Sequence, residues 1–140
     1  MTPEDRELRT LLGNARTVAV VGLSSEPNRP SLEVARYLQE QGYTIIPVNP
    51  REKSVLGEQA YPSLRAIPAD IHVDVVDVFR RSEETLEVAR DAVAIGAKVF
   101  WLQEGIVNEE AARVASEAGL DVIMGVCIRK VRERLNEEDV

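Results

Sequence analysis

The sequence predicts an α/β fold, a doubly wound open parallel sheet of five strands with helices on both faces. Three observations predict it. Five short segments rich in β-branched residues are almost continuously apolar, which indicates strands buried on both faces, as in a parallel sheet. Helical patterns alternate with these segments. Three of the helical patterns stop at a glycine and the next strand begins at once, as expected where a left-handed residue ends a helix.

The strands are predicted over residues 17–22, 43–48, 73–79, 97–102 and 120–125. Helices with one apolar face follow strands 1, 3 and 4, and their apolar positions are Val34, Ala35 and Leu38, then Leu86, Ala89 and Val93, then Ala111, Val114, Ala115 and Ala118. Ser82 and Asn108, each followed by two glutamates, are predicted to cap helix starts. Residues 3–13 predict a leading helix and residues 128–138 a trailing one. Segment 51–72, interrupted by Gly57, Pro62 and Pro68, is expected to be loop with a short helix.

The order of the strands decides where a ligand binds. Crossovers between parallel strands are right-handed, and we expect the strand order 3-2-1-4-5. In an open sheet of this kind, ligands bind beyond the carboxyl ends of the strands, at the point where the order reverses. That order therefore predicts a site in the gap between strands 1 and 4.

Length and charge restrict the class of protein. The chain has 140 residues and a formal net charge of −7, and we expect a single domain over residues 1–140. An acidic surface argues against nucleic acid or an anionic membrane as a partner. The chain contains no apolar run near the roughly 20 residues that span a bilayer, and its first residues are polar, so we expect a cytoplasmic protein. Cys127 and His72 are its only cysteine and histidine, too few for a disulfide or a zinc site.

The loop after the first strand, GLSSEPNRPS, leads directly into a helix, whose start attracts phosphate through free N–H groups and a positive dipole end. It contains only one glycine, Gly22, and so lacks both the GxGxxG pattern of NAD sites and a Walker loop. Ser24, Ser25, Asn28, Arg29 and Ser31 offer it groups that bind a pyrophosphate. In the alternative interpretation, Asn28, Pro30 and Ser31 only cap the helix and Arg29 is solvated.

The end of the second strand indicates what kind of nucleotide could bind. NAD-binding folds place an acidic residue there to hold the ribose diol, whereas this chain has Asn49 and Pro50 followed by Arg51 and Lys53. Basic residues at that place favour a phosphorylated ribose. Both NADP and coenzyme A (CoA) carry one, and Arg51 and Lys53 could also be ordinary loop charges.

Four segments together carry a family resemblance: GLSSEPNRPS after strand 1, PVNP at 47–50, VDVVDVFRR at 73–81 and WLQEGIVNEEAARVASEAGLDVIM at 101–124. With them the chain resembles the small stand-alone CoA-binding proteins, relatives of the CoA-binding domain of the succinyl-CoA synthetase α subunit. The resemblance covers roughly residues 15–127 and implies a Rossmann-like, CoA-binding domain.

The resemblance also implies a set of cofactor-binding residues. The CoA phosphates would lie near Gly22, Leu23, Ser24, Ser25, Asn28, Arg29 and Ser31, and the adenine and 3′-phosphoribose near Asn49, Pro50, Arg51 and Lys53. The adenine or phosphate side would be lined by Val78, Phe79 and Arg80, and the pantetheine arm approached by Gln103, Glu104 and Gly105.

No catalytic constellation is recognisable. Cys127 has no histidine at its end of the sheet, so it is interpreted as an idle thiol, with a mixed disulfide to the CoA thiol as the alternative. We therefore expect a non-catalytic module that binds CoA or an acyl-CoA. Two alternatives remain: an NADP-binding oxidoreductase domain, and a CoA-binding subunit of a split acyl-CoA ligase, whose phosphohistidine domain is not present in this sequence.

Overall fold

The computed structural model describes residues 3–138 and contains five helices and seven strands over that range. In chain order these are α1 (Pro3–Asn14), β1 (Thr17–Val21), α2 (Pro30–Glu40), β2 (Thr44–Val48), β3 (Ser54–Val55), β4 (Glu58–Gln59), β5 (Val75–Val78), α3 (Thr85–Ala94), β6 (Val99–Leu102), α4 (Glu109–Glu117), β7 (Asp121–Met124) and α5 (Ile128–Glu138). Two 3-10 turns, Leu64–Ala66 and Ser82–Glu84, lie between them. None of the helices in residues 3–138 is long and apolar enough to cross a membrane.

Five of the strands form one parallel sheet in the order β2-β1-β5-β6-β7, and β3 pairs with β4 as a small antiparallel hairpin. The residues of β1 alternate between the two faces of the sheet. Val18 and Val20 pack with α1, α2 and α5 on one face, while Ala19 and Val21 pack with α3 and α4 on the other. The predicted fold class, a Rossmann-like parallel sheet covered by helices on both faces, is confirmed.

The strand order differs from the expected 3-2-1-4-5, because the third strand of the sheet, β5, lies beside β1 rather than beyond β2. The connection from β2 to β5 contains no α-helix. Tyr61 bridges to Val48 at the sheet edge, and Leu64 and Ile67 then pack on the face of α3 and α4, which carries the chain back across the sheet. The order therefore reverses between β1 and β5, and this gap, not one between the first and fourth strands, is where a ligand is expected.

One carboxylate links the starts of β1 and β5 through hydrogen bonds. Asp74, just before β5, accepts hydrogen bonds from the backbone N–H groups of Arg16 (2.8 Å) and Thr17 (3.0 Å) at the start of β1. Burial alone would raise the pKa of this carboxyl, but the two N–H groups, with His72 and Lys98 nearby, lower it below its ordinary value. Asp74 therefore contributes to the pairing of β5 with β1.

The predicted helices are present, with one difference at the start of α3. Asn108 caps α4 as predicted and accepts a hydrogen bond from the N–H of Ala111 at 3.0 Å. Ser82 instead begins a 3-10 turn, and α3 starts at Thr85. The Ser82 hydroxyl accepts from the N–H of Val107 (3.2 Å) and its carbonyl from the Asn108 amide (2.8 Å). Ser82 thus joins the loops that follow β5 and β6.

Candidate functional site

An open cleft of about 1120 Å³ lies at the carboxyl ends of the strands, where β1 and β5 diverge. Three loops build most of it, those after β1, β2 and β5. Ten of the sequence-predicted residues line it: Gly22, Ser24, Ser25, Arg29, Ser31, Asn49, Pro50, Arg51, Phe79 and Arg80. The remaining lining residues are Glu26, Pro30, Glu52, Arg81, Glu84 and Ile106. The structure therefore brings together the two loops that the sequence singled out.

Gly22 is where the chain leaves β1 and touches its neighbours on both sides. Its N–H donates to the carbonyl of Val48 at 2.7 Å, and its φ is +89°. A Cβ built at this position would lie 2.3 Å from the carbonyl oxygen of Phe79. Only glycine fits there, because the left-handed backbone and the close approach of the β5 strand end both exclude a side chain.

The β1–α2 loop is held in shape by hydrogen bonds between its own N–H groups and serine hydroxyls. The buried Ser31 hydroxyl accepts from the N–H of Ser24 at 3.1 Å, and the Ser24 hydroxyl accepts from the N–H of Glu26 at 3.1 Å. These bonds curl the loop around the start of α2, which carries Pro30 in its first turn and has no side-chain cap. Since no side chain caps this helix, the interpretation of Asn28 and Ser31 as caps of α2 is not supported.

The loop after β2 is joined to the loop after β1 by one amide. The Asn49 side chain donates to the carbonyl of Leu23 (3.1 Å) and accepts from the N–H of Arg51 (3.0 Å). Within residues 3–138 the Arg51 guanidinium has no hydrogen-bond or ion-pair partner. Asn49 is therefore a positioning residue, while Arg51 is a cation available to an anion in the cleft.

Three glutamates also line the cleft, and the carboxylate of each one forms an ion pair or accepts hydrogen bonds. Glu26 pairs with Arg29 at 3.2 Å, and Glu84 pairs with both Arg80 and Arg81 at 2.9 Å. The hydrogen bond from Arg81, with Arg80 nearby, lowers the pKa of Glu84, and the same bond raises the pKa of Arg81. Glu52 accepts from the N–H (2.6 Å) and the hydroxyl (3.0 Å) of Ser25.

Seven predicted site residues do not line the cleft. Leu23 and Val78 are fully buried in the core, and Asn28 and Lys53 are exposed beside the cleft loops. The other three follow β6. Gln103 is buried, and its side-chain oxygen caps α5 by accepting a hydrogen bond from the N–H of Ile128 at 3.1 Å. Glu104 forms an ion pair with Lys130 at 3.0 Å, and Gly105 is exposed.

The sequence reasoning missed the acidic residues of the cleft, and a signal existed for two of them. Glu52 lies between Arg51 and Lys53, the basic pair that was recognised, and Glu26 lies inside the recognised loop. Arg81 and Glu84 have the i,i+3 spacing of an ion pair, but the sequence pattern predicts Glu84 as part of a helix start and Arg81 as the end of the segment 73–81. Pro30 and Ile106 carry no chemical signal, because they contribute only shape.

Two further side chains with reactive groups, Asp77 and Cys127, lie outside the cleft. Asp77 on β5 is fully buried, its carboxyl oxygens have no hydrogen-bond partner within residues 3–138, and burial raises its pKa well above the ordinary value. Cys127 is partly buried immediately before α5 and does not line the cleft. Among residues 3–138 there is no cluster of three or more side chains that could hold a metal ion. The cleft gathers four arginines and three carboxylates, and Arg51 is the arginine among them without an ion-pair partner in residues 3–138, so the cleft can bind an anionic ligand.

Comparison with known proteins assigns the part of the chain that contains the cleft to a protein family. The model of a family described as a CoA binding domain matches residues 16–132, which include every residue that lines the cleft. YneT of Bacillus subtilis, named an uncharacterized protein, is 45% identical over 127 residues, 91% of this chain and 93% of that protein. The structure of a hypothetical protein from Pyrococcus horikoshii has a TM-score of 0.91 and 39% identity, covering 97% of this chain and 93% of that one.

A larger protein is also similar. The alpha subunit of acetate–CoA ligase (ADP-forming) II from Pyrococcus furiosus is 30% identical over 124 residues. The match covers 82% of this chain but only 27% of the ligase subunit. The similarity is therefore to one part of that subunit.

Proposed function

This chain belongs to the CoA-binding domain family, and we propose that it binds CoA or an acyl-CoA in the cleft between β1 and β5 as a non-catalytic module. The observation that carries the proposal is the convergence of the β1–α2 loop and the β2 loop on one cleft, with the unpaired Arg51 guanidinium at its rim. A cleft of about 1120 Å³ is large enough for a nucleotide-sized ligand, since small-molecule sites span roughly 300–1,000 Å³.

The polar groups fit the parts of CoA in a definite arrangement. The diphosphate would lie against Ser24, Ser25 and the start of α2, where Arg29 adds a cation. The 3′-phosphate would bind Arg51, with Lys53 close by on the same loop. Phe79, partly buried at the end of β5, offers a ring for the adenine.

Two features support a module without catalysis. His72, the sole histidine of the sequence, lies 3.3 Å from Asp74 near the start of β5, at the opposite end of the strand from the cleft. Within residues 3–138, the hydroxyls of Ser24 and Ser31 accept N–H bonds inside the loop, and the Ser25 hydroxyl donates to the Glu52 carboxylate with no histidine beside it. The chain can bind and orient a ligand with these groups, but they do not make an activated nucleophile.

Calorimetric titration with CoA, dephospho-CoA, NADP and NAD tests the proposal. We expect CoA to bind more tightly than dephospho-CoA, because only CoA has the phosphate that faces Arg51. A ligand at about 100 times its Kd should also raise the free energy of unfolding by about 2.7 kcal/mol. If NADP gives a heat of binding and raises the free energy of unfolding while CoA does neither, the proposal is refuted and an NADP-binding oxidoreductase domain is favoured.

A variant series tests where the 3′-phosphate binds. The combined substitution Arg51→Gln and Lys53→Gln should weaken CoA binding and leave dephospho-CoA binding nearly unchanged, so that the two ligands become equal. The combination of Arg36→Gln and Arg113→Gln is the matched control, since both are exposed helix arginines outside the cleft and the pair removes the same two charges. A preference for CoA over dephospho-CoA that survives in the double variant would place the 3′-phosphate elsewhere.

The similarity to the ligase alpha subunit favours a second candidate, a CoA-binding part of a split acyl-CoA ligase. In that case a separately encoded chain would supply the remaining domains. The test is ATP- and acid-dependent thioester formation from CoA when this chain is mixed with such a partner. Formation at the same rate without this chain would exclude the candidate.

A further inference from the structure

We infer that Glu52 is an internal competitor for the ligand, because its carboxylate occupies the position on Ser25 that a phosphate group of the ligand would take. The inference rests on the proposed function, because it concerns the same cleft. It adds a residue that sets which anions the cleft accepts.

The contacts of Glu52 are of the kind that a phosphate makes with a loop. Its two carboxylate oxygens accept from the N–H and the hydroxyl of Ser25, at 2.6 and 3.0 Å. An anion bound at a loop before a helix accepts from the same kinds of donor. Ser25 and Glu52 are 27 residues apart and on different loops, so the contact closes across the cleft and is not a local turn.

The charge of Glu52 prevents carboxylate and phosphate from occupying this place together. Glu26 and Glu84 each pair with an arginine of the cleft, whereas Glu52 has no ion-pair partner within residues 3–138. A phosphate entering beside an unneutralised carboxylate would be repelled. Glu52 must therefore leave Ser25 before the phosphate binds. The apparent affinity is then the intrinsic affinity multiplied by the fraction of molecules in which Ser25 is free.

A competitor of this kind lowers the affinity of every ligand that must displace it by the same factor, and the loss matters most for a ligand that has few contacts. Inorganic phosphate or pyrophosphate gains only the contacts of the loop, so the displacement of Glu52 offsets much of its binding energy. A ligand that also reaches Arg51 and Phe79 has further contacts and binds despite the competition. Glu52 thus leaves the small anions only weakly bound, while a phosphorylated nucleotide keeps enough further contacts to bind.

The substitution Glu52→Gln, measured by calorimetric titration with inorganic pyrophosphate, tests the inference. The amide keeps the size of the side chain but removes the charge, and we expect pyrophosphate to bind roughly tenfold more tightly. Glu40→Gln is the matched control, because Glu40 is exposed at the far end of α2 and lies outside the cleft. It removes the same charge and should change the affinity by less than about twofold.

The sign of the result separates competition from a structural role. If Glu52 only held the loop in place, its loss would weaken binding, so unchanged, weaker or undetectable pyrophosphate binding by Glu52→Gln overturns the inference. Titration of the unsubstituted protein with CoA is run in parallel. CoA binding without tighter pyrophosphate binding by Glu52→Gln refutes the competitor alone, whereas tighter pyrophosphate binding without any CoA binding refutes the proposed function alone.

Discussion

Replacement of Asp77 by asparagine should change how stability depends on pH. Asp77 lies on β5 between Val20 of β1 and Trp101 of β6, on the face covered by α1, α2 and α5. The side chain is fully buried and its oxygens have no hydrogen-bond partner in the part of the chain that the structure describes, so burial raises the pKa of this carboxyl well above its ordinary value. Asparagine has nearly the same shape and cannot ionise.

The size of the effect follows from proton linkage. Between the pKa of Asp77 in the unfolded chain, about 3.9, and its raised pKa in the folded protein, the folded state binds one more proton than the unfolded state. Over that window the free energy of unfolding falls by about 1.4 kcal/mol per pH unit on account of Asp77. The stabilisation is fully present below pH 3.9 and is lost as the pH rises through the folded pKa.

Urea unfolding of the two proteins at several pH values between about 5 and 7 measures this difference. We expect the stability of Asp77→Asn relative to the unsubstituted protein to increase with pH, at a slope approaching 1.4 kcal/mol per pH unit until the folded pKa is reached. The absolute offset between the proteins is immaterial, since it includes the burial of the amide. Stability curves that run parallel across the range would show that Asp77 ionises normally in the folded protein.

Two further predictions concern the strands on either side of the cleft. Asp74→Asn should have the opposite pH dependence, because the pKa of Asp74 is lowered in the folded protein: the loss of stability is largest at neutral pH and shrinks as the pH falls below about 4. Equal losses at pH 7 and pH 3 would contradict this. Gly22→Ala should destabilise by more than about 3 kcal/mol, from roughly 1–2 kcal/mol of left-handed strain plus the collision with Phe79. Gly119 has a similar φ of +95°, but there is open space where a Cβ would lie. Gly119→Ala should therefore be destabilised by the left-handed strain alone, and equal losses of stability in the two variants would exclude the collision.

The alternation of strands and helices was predictable because burial on two faces leaves a continuous apolar run, as in 73–79. The order of the strands was not predictable from such runs, because the pattern shows that a strand is buried but not which strand lies beside it. The lateral position of β5 depends on contacts that form across long separations, such as the carboxylate of Asp74 on the N–H groups of Arg16 and Thr17. Sequence spacing does not reveal contacts of this kind.

The candidate site was predictable where position along a strand decides it. The loops after β1 and β2 must meet at one sheet edge, so Ser24, Ser25 and Arg51 were found. Gln103 was expected near the ligand for the same reason, but its side chain turns to the N–H of Ile128 and caps α5 instead. Glu52 was missed because its contact with Ser25 joins two loops across the cleft. A local sequence pattern does not contain the distance between two loops.

The carboxylate of Asp74 and the cleft lie at opposite ends of the paired strands β1 and β5. Substitutions at Ser25, Glu52 or Arg51 leave the residues that align the strands untouched. For protein engineering, this separation makes the carboxyl-edge loops suitable for randomised libraries directed at other phosphorylated ligands. We expect such libraries to retain their folded fraction as long as Gly22, Asp74 and the Asn49 bridge are held constant.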